Sequence, residues 1–349
     1  MQTLSTSDGD LERAAAALAS GLLVAFPTET VYGLGADAFN PSALAKVFEA
    51  KRRPRFDPLI VHIAEMGALP RIADTAALGG ATRERLSILA EKLWPGPLTL
   101  VLPKRKELPD LATAGLPTAA IRFPSHPVAQ KLIRLSTGAV AAPSANLFGW
   151  LSPTRAQHVI SQLGEKVDFI IDGGRTQVGL ESTVLDLSGE RPTILRQGGV
   201  PREEIEALIG PVGLQTGFSE AAQEGAEKPL SPRLSPGQLK SHYAPGTPLV
   251  LHKPGELALL PESTGEGRLY FAHPRANPDE AMPGKENGGF LKAARVLSET
   301  GNQVEAAANL FEMLHELDSL GLNLIRAEEA PPAGLGEAIN DRLRRAAAK

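Results

Sequence analysis

The most informative part of the chain lies between Phe26 and His62. It reads FPTETVYGLGADAFNPSALAKVFEAKRRPRFDPLIVH: a polar turn, a helical pattern, a run of basic residues and an apolar strand pattern. Asn40 and Pro41 are the residue types preferred at a helix N-cap and first turn, so we predict a helix from there to about Lys51. The apolar residues 58–63 predict a strand. Strand patterns on either side of a helix indicate an α/β fold.

The first 200 residues continue this alternation of helical and strand patterns. The predicted helices cover 11–20, 81–94, 126–136 and 154–163, with Asp10 as the expected N-cap of the first. The predicted strands cover 22–26, 98–102, 119–123, 139–142, 168–172, 182–187 and 193–196. The pattern predicts an α/β domain built on a twisted, mixed sheet.

The composition changes after about residue 211, where Gly, Pro, Ser, Gln and Glu dominate and periodicity is lost. This predicts an interdomain linker, and its last part, Ser235–Pro245, suggests a lid because His242 and Tyr243 lie there between two prolines. Strand patterns at 248–252, 268–272 and 322–326, with helical patterns at 303–320 and 335–348, predict a second α/β unit. We therefore expect a catalytic domain at 1–207, a linker or lid at 208–245 and a smaller domain at 246–349.

The composition also excludes several kinds of site. The chain has no cysteine, which rules out disulfides, thiolate zinc sites and a cysteine nucleophile, and its seven histidines show no metal-ligand spacing, so no metal site is expected. Residues 1–200 carry 21 Lys and Arg against 19 Asp and Glu, and residues 201–349 carry 15 against 21. Neither part has the concentrated positive charge that strong nucleic-acid binding requires. The absence of a signal-peptide pattern and of a long apolar run predicts a cytoplasmic location.

Two cations and a polar turn are the candidates for binding phosphate. Lys51 and Arg53 combine a compact charge with a bidentate fork, although a basic helix end that complements the helix dipole would have the same sequence. No Walker A sequence is present, and Gly33-Leu34-Gly35 lacks the rest of a dinucleotide fingerprint. Ser144 and Asn146 follow a predicted strand, where α/β folds commonly place ligands.

Arg122 ends another predicted apolar strand, and a buried arginine needs a partner. The sequence leaves open whether that partner is a carboxylate of the chain or one of a substrate. His62 alternates with Val61 and Ile63, which also fits a histidine at the edge of the core.

In combination, these motifs resemble the two-domain form of the threonylcarbamoyl-AMP synthase family. The resemblance covers nearly the whole chain and rests on the following motifs: Pro27–Leu34, Lys51-x-Arg53, Trp94–Thr99, Ser144-x-Asn146, Ser152–Thr154, Glu181–Val184, Leu195–Gly199, Ser235–Pro245 and Gly334–Leu343. It implies a YrdC-like twisted mixed-sheet catalytic domain followed by a smaller Rossmann-like α/β C-terminal domain. Phe148 and Trp150 make the loop after Asn146 bulkier than in many relatives.

The resemblance implies a nucleotidyltransferase that makes L-threonylcarbamoyladenylate and diphosphate from L-threonine, bicarbonate or CO₂, and ATP. ATP, with Mg²⁺ bound to it, would be a substrate rather than a resident cofactor, and bicarbonate would be the co-substrate. The product would pass to a transferase that modifies adenosine 37 of tRNA. The alternative is an RNA-binding YrdC-like module without this turnover.

The resemblance also implies roles for individual residues. Lys51 and Arg53 would be the catalytic residues. The implied ATP-binding residues are Lys51, Arg53, Asp57, Thr118, Ser144, Asn146, Ser152, Arg196 and Tyr243. The implied threonine-binding residues are Thr30, His62, Arg122, Ala142 and Ser182.

Overall fold

The structure is a computed structural model that describes residues 1–215, 242–261, 263–273 and 293–348. The described residues form two compact units. Unit 1 contains residues 1–148, 153–177 and those from 181 to 215, and unit 2 contains 149–152, 178–180 and those from 242 onward. Most of the predicted linker, including residues 235–241, lies outside the described residues, so the predicted boundaries at 207 and 245 stay predictions.

Unit 1 is built on a mixed sheet that has eleven strands among the described residues. In chain order the strands are β1 (Gln2–Leu4), β2 (Val24–Phe26), β3 (Gly33–Asp37), β4 (Ile60–Ile63), β5 (Leu98–Pro103), β6 (Thr118–Arg122), β7 (Ala139–Ala141), β8 (Phe169–Ile171), β9 (Thr183–Asp186), β10 (Thr193–Arg196) and β11 (Gly213–Leu214). Their order across the sheet is β1-β8-β2-β3-β7-β4-β6-β5-β9-β10-β11. The strands β7, β4, β6, β5 and β9 are therefore neighbours, although they come from distant parts of the sequence.

Helices cover both faces of this sheet. They are α1 (Asp8–Ala19), α2 (Pro41–Lys51), α3 (Gly80–Leu93), α4 (Asp110–Thr113), α5 (Pro127–Leu135), α6 (Ala156–Leu163) and α7 (Arg202–Ile209), with short 3₁₀ turns at Met66–Arg71, Thr75–Ala77 and Gly164–Lys166. Val24 and Phe26 pack with α1 and α5 in one core, whereas Ala25 lies in the core that contains α2. Successive strand residues face opposite sides, so the two cores lie on opposite faces of the sheet.

Two helix N-termini show how well local sequence predicts local structure. The Asn40 side chain accepts hydrogen bonds from the amides of Ser42 and Ala43, which confirms the predicted start of α2. The prediction of Asp10 as the N-cap of α1 is wrong, because Ser7 caps the helix by accepting from the amide of Asp10 at 3.4 Å. Asp10 instead accepts from Ser5 and pairs with Arg13.

Unit 2 contains a parallel sheet of four strands among the described residues, in the order β12-β15-β13-β14. Its elements are β12 (Leu249–His252), α8 (Glu256–Leu259), β13 (Glu266–Ala272), β14 (Ala294–Ser298), α9 (Gln303–Asp318), β15 (Leu324–Glu328) and α10 (Leu335–Ala347). The mixed sheet of unit 1 and the parallel sheet of unit 2 confirm the predicted fold class. None of the helices in the four described ranges combines the length and hydropathy of a membrane span.

Candidate functional site

Three polar side chains lie side by side across the centre of the unit 1 sheet. His62 of β4 is in register with Arg122 of β6, and Arg122 is in register with Thr99 of β5. Residues paired in this way project from the same face of a sheet. All three side chains are buried. The register thus places a cation, an imidazole and a hydroxyl in one row, which we call the polar row.

A carboxylate from the loop after β2 pairs with the arginine of this row. Glu29 Oε1 lies 2.6 Å from a terminal guanidinium nitrogen of Arg122, and the two side chains are 5% and 4% exposed. The Nε of Arg122 also donates to the carbonyl of Gly96 at 3.4 Å. Arg122 therefore has a carboxylate of the chain within ion-pair distance, which is one of the two alternatives that the sequence left open.

The hydroxyl of Thr28 fixes the loop that carries Glu29. It donates to the carbonyl of Val31 at 2.7 Å and accepts from the amides of Thr30 and Val31. Its oxygen also lies 2.8 Å from the hydroxyl oxygen of Thr30. Such a local network holds a short turn in one conformation, so both Glu29 and Thr30 are presented from a rigid segment.

A second cluster of polar groups joins the polar row at the start of β9. The hydroxyls of Thr99 and Ser182 lie 2.7 Å apart, and Arg196 of β10 donates to both the carbonyl and the hydroxyl of Ser182. The backbone must approach closely here, because a Cβ on Gly198 would lie 2.3 Å from the carbonyl oxygen of Glu181. This close approach explains why the Leu195–Gly199 motif has glycine at position 198.

His62 is electrically neutral in this setting. Burial and the neighbouring Arg122 guanidinium lower the pKa of His62 to about 3. Its Nδ1 lies 3.1 Å from the carbonyl oxygen of Ile60, and a carbonyl can only accept, so we assign the proton of the neutral ring to Nδ1 and the unprotonated position to Nε2. The Val140 backbone also contacts the ring. A neutral imidazole can accept a hydrogen bond from a hydroxyl without adding charge to the site.

Lys51 connects the end of α2 to the loop that follows β7. Its Nζ donates to the carbonyls of Ser144 and Asn146, and its own carbonyl accepts from the amide of Phe148 at 2.9 Å. Burial and the neighbouring Arg53 lower the pKa of Lys51 well below its usual value. The predicted phosphate-binding lysine and the Ser144-x-Asn146 turn are thus brought together.

Arg53 is buried next to this lysine and pairs with Asp57. A terminal nitrogen of its guanidinium lies 2.9 Å from Asp57 Oδ2, and it also donates to the carbonyls of Asp57 and Pro58. The ring of Phe148 lies 5.9 Å from the guanidinium carbon, close enough for a cation–π contact. Phe148, one of the two large residues in the loop after Asn146, therefore packs against Arg53 and helps to hold its guanidinium in place.

The loop after β7 links the two groups of predicted residues. The amide of Ala142 donates to the carbonyl of Ile60, and Pro143 accepts from the amide of Leu34. Gly33 forms a single bridge with Ser144, and Ala145 donates to the carbonyl of Tyr32. The segment 142–146 is therefore anchored both to β4, which carries His62, and to the segment that follows Thr30.

The remaining predicted ATP-binding residues are Thr118, Ser152 and Tyr243. Thr118 begins β6 and is half-buried. Ser152 and Tyr243 belong to unit 2, where the Ser152 carbonyl lies 3.1 Å from Nε2 of His315. The Tyr243 ring is buried, packing against Phe311 and under the guanidinium of Arg342 at 4.9 Å.

Sequence reasoning missed Glu29 and Thr99 as members of the site. Both lie in recognised motifs, Glu29 in Pro27–Leu34 and Thr99 at the end of Trp94–Thr99. The available signal was their place in these motifs, because Glu29 is the one carboxylate of Pro27–Leu34 and Thr99 is the one hydroxyl of Trp94–Thr99. Among the described residues, no group of three His, Asp or Glu side chains is arranged to hold a metal ion.

Two family models together cover almost the whole chain. Residues 16–198 match the family described as "Telomere recombination" (Sua5_yciO_yrdC), and residues 200–348 match the one described as "Threonylcarbamoyl-AMP synthase, C-terminal domain". The first match includes the polar row, Lys51 and the loop 142–146 that Lys51 contacts, which we call the Lys51 loop.

Relatives with an assigned name match this chain along almost its whole length. The threonylcarbamoyl-AMP synthase of Bacillus subtilis is 41% identical over 99% of this chain and 94% of its own length. The enzyme of that name from Pyrococcus abyssi is 40% identical over 95% of this chain and 92% of its own. The crystal structure of P. abyssi Sua5 complexed with L-threonine superposes with a TM-score of 0.82 at 36% identity, covering 99% of this chain and 97% of that one. With both domains matched and relatives of this identity along its whole length, the chain belongs to the threonylcarbamoyl-AMP synthase family.

Proposed function

We propose that the chain is an L-threonylcarbamoyladenylate synthase, a nucleotidyltransferase that converts L-threonine, bicarbonate or CO₂, and ATP to threonylcarbamoyl-AMP and diphosphate. The observation that carries the proposal is the polar row beside the Lys51 loop. Arg122, His62 and the Thr99–Ser182 hydroxyls offer complementary groups for a hydroxylated amino acid, and Lys51 and Arg53 offer positive charge for a triphosphate.

The polar row accounts for the choice of amino acid. Arg122 binds the α-carboxylate, because a guanidinium fork matches a carboxylate. Neutral His62 accepts a hydrogen bond from the β-hydroxyl, and the hydroxyls of Thr30 and Ser182 complete the surroundings. The backbone at Ala142 closes the side of the site formed by β4 and the loop after β7.

Lys51 and Arg53, which we call the cationic pair, account for the choice of nucleotide. Although burial and Arg53 lower the pKa of Lys51, a bound triphosphate favours the protonated form. The ammonium then has three N–H donors, two of which contact the Ser144 and Asn146 carbonyls, which leaves one for a phosphate oxygen. Arg53, oriented by Asp57, lies two residues further on. Ser144, Asn146, Thr118, Ser152, Arg196 and Tyr243 are proposed to make the remaining contacts with ATP.

The reaction requires no nucleophile from the protein. The neutral amine of threonine combines with CO₂ and releases a proton, or combines with bicarbonate and releases water, to form a carbamate. An oxygen of the carbamate then attacks the α-phosphorus of ATP while the bond to diphosphate breaks. Catalysis then consists of positioning and of stabilising the charge on the leaving diphosphate. Mg²⁺ that arrives with ATP would share that charge with Lys51 and Arg53. Burial of the polar row protects the carbamate and the mixed anhydride from water.

The product contains a reactive mixed anhydride, so a transferase must use it promptly. We propose that this transferase places the threonylcarbamoyl group on adenosine 37 of tRNA, and that both enzymes act in the cytoplasm. Direct binding of nucleic acid is not part of the proposal, since residues 1–200 carry only two more Lys and Arg than Asp and Glu.

A product assay tests the proposed function. The purified chain is incubated with ATP, Mg²⁺, L-threonine and bicarbonate, and the mixture is analysed by mass spectrometry with each component omitted in turn. We expect threonylcarbamoyl-AMP and diphosphate only in the complete mixture. The rival function, an RNA-binding module without turnover, predicts no product together with salt-dependent binding of tRNA.

A further inference from the structure

Glu29 is a buried carboxylate, and neither of its oxygens has a hydrogen-bond partner among the described residues. Its side chain is 5% exposed, and Oε1 lies 2.6 Å from a terminal nitrogen of Arg122, which is ion-pair distance. That Arg122 nitrogen has no hydrogen-bond partner among the described residues either, and Oε2 lacks even an ion-pair contact. Leaving a buried carboxylate oxygen without a hydrogen bond is unfavourable, so in native structures a water, an ion or a ligand commonly supplies the missing partner.

No polar group of the described residues is hydrogen-bonded to Oε2 of Glu29. The Thr28 hydroxyl of the same loop donates to the Val31 carbonyl. His126 is close enough for the Glu29 charge to act on it, and because its Nδ1 accepts from the amide of Val128 its Nε2 carries the proton, but no hydrogen bond joins it to Glu29. Oε2 can therefore accept from a donor that a ligand brings.

Arg122 and Glu29 together present opposite charges at neighbouring positions. A free α-amino acid carries the same arrangement in reverse, with a carboxylate and an ammonium attached to one carbon atom. A site of this kind binds the zwitterion better than an anion or a cation of the same shape, because both charges are matched. The neutral His62 adds no third charge to this pair.

We propose that Glu29 accepts hydrogen bonds from the α-ammonium group of L-threonine while Arg122 binds its carboxylate. This inference rests on the proposed function and extends it by adding a residue that determines specificity. The substrate takes the place of the direct Arg122–Glu29 contact. The unused Oε2 then gains a donor, and the site selects amino acids against hydroxy acids.

The test compares two ligands that differ only in the amine. L-Threonine and (R)-3-hydroxybutanoate share the carboxylate and the β-hydroxyl, and ligand-observed NMR measures the binding of each without ATP. For the intact chain we expect L-threonine to bind at least about tenfold more tightly, because a hydrogen bond to a charged group is lost in the hydroxy acid. Equal affinities of the intact chain for the two ligands would overturn the proposal, and this comparison needs no substituted protein.

Glu29→Gln separates the proposed role from two others. We expect this variant to bind L-threonine about ten- to a hundredfold more weakly and to bind 3-hydroxybutanoate as well as before or better. Equal weakening of both ligands would mean that Glu29 only orients Arg122, and tighter binding of both would mean that it only competes for Arg122. Either result would overturn the proposal.

Two control variants complete the design. Glu29→Asp keeps the charge and should retain a preference for L-threonine. Glu328→Gln removes a glutamate of similar burial in unit 2, where it accepts from the amides of Gly255 and Phe271, and should leave the ratio of the two affinities unchanged. Failure of the proposed function would appear separately, as the absence of product from the intact chain.

Discussion

At the scale of single residues, the candidate site consists of buried charges that already have partners. Lys51 contacts two carbonyls, Arg53 pairs with Asp57, and Arg122 pairs with Glu29. Preorganised charges of this kind need little rearrangement when a charged substrate arrives, which is how buried polar groups accelerate reactions.

The cationic pair gives the first prediction. Lys51→Met and Arg53→Met should each lower kcat about 10²- to 10³-fold, because each removes a preorganised charge from the triphosphate. Arg52→Asn is the matched control, since Arg52 lies between them, is exposed, and has a φ of 51° that asparagine tolerates. Steady-state release of diphosphate measures the rates. Near-normal rates in both methionine variants would contradict the phosphate assignment.

The polar row gives the second prediction, on the choice of amino acid. Serine should be a poor but detectable substrate, and valine should be a worse one, because valine has no hydroxyl to donate to the buried His62 imidazole. The comparison is made as kcat/KM for the three amino acids at saturating ATP. Equal values for valine and threonine would show that these groups do not read the β-hydroxyl.

At the scale of elements, strand register assembles the site from distant sequence. The row from His62 through Arg122 to Thr99 depends on β6 lying parallel to β4 and antiparallel to β5. A shift of one residue in any of these strands would turn the side chain to the other face of the sheet.

The third prediction concerns the close approach at Gly198. A Cβ there would lie 2.3 Å from the Glu181 carbonyl oxygen, so Gly198→Ala should displace the segment that carries Ser182 and lower both activity and thermal stability. Gly189→Ala is the control, because nothing lies within 4 Å of its added Cβ. Melting temperature and product formation are measured for both variants. Normal behaviour of Gly198→Ala would mean that the Ser182 segment tolerates displacement.

Some elements could be predicted from local sequence because their signals are local. Asn40-Pro41 marks the start of α2 through capping chemistry that does not depend on the rest of the fold. Strand β3 was missed because Gly33-Leu34-Gly35 has little intrinsic strand preference, and pairing with β2 and β7 forms the strand. The Arg122–Glu29 contact was beyond prediction for a related reason, since the two residues lie 93 positions apart in the chain and only the sheet brings them together.

At the scale of the whole molecule, buried His62 links folding to pH. Its pKa is about 3 in the folded chain against 6.5 for an ordinary histidine. Between these values the unfolded chain binds a proton that the folded chain does not, so stability falls as the pH decreases through this window.

The fourth prediction follows from this decrease of stability with decreasing pH. On going from pH 7 to pH 5, the intact chain should lose about 2 kcal/mol more unfolding free energy than His62→Gln, which has no imidazole to protonate. Urea unfolding at the two pH values measures the difference. Parallel losses in the two proteins would mean that folding does not lower the pKa of His62, and would contradict the account of a buried imidazole held neutral beside Arg122.

The central claim is that the chain joins three substrates in one reaction, and isotope labelling tests it most directly. The chain is incubated with ATP, Mg²⁺, L-threonine and either ordinary or ¹³C-bicarbonate. The adenylate product is identified by mass spectrometry, and the diphosphate released is quantified in the same samples. We predict a threonylcarbamoyl-AMP ion that gains the mass of one heavy carbon with labelled bicarbonate, and one diphosphate for each molecule formed. An unlabelled adenylate, or diphosphate released at the same rate without threonine, would contradict the account.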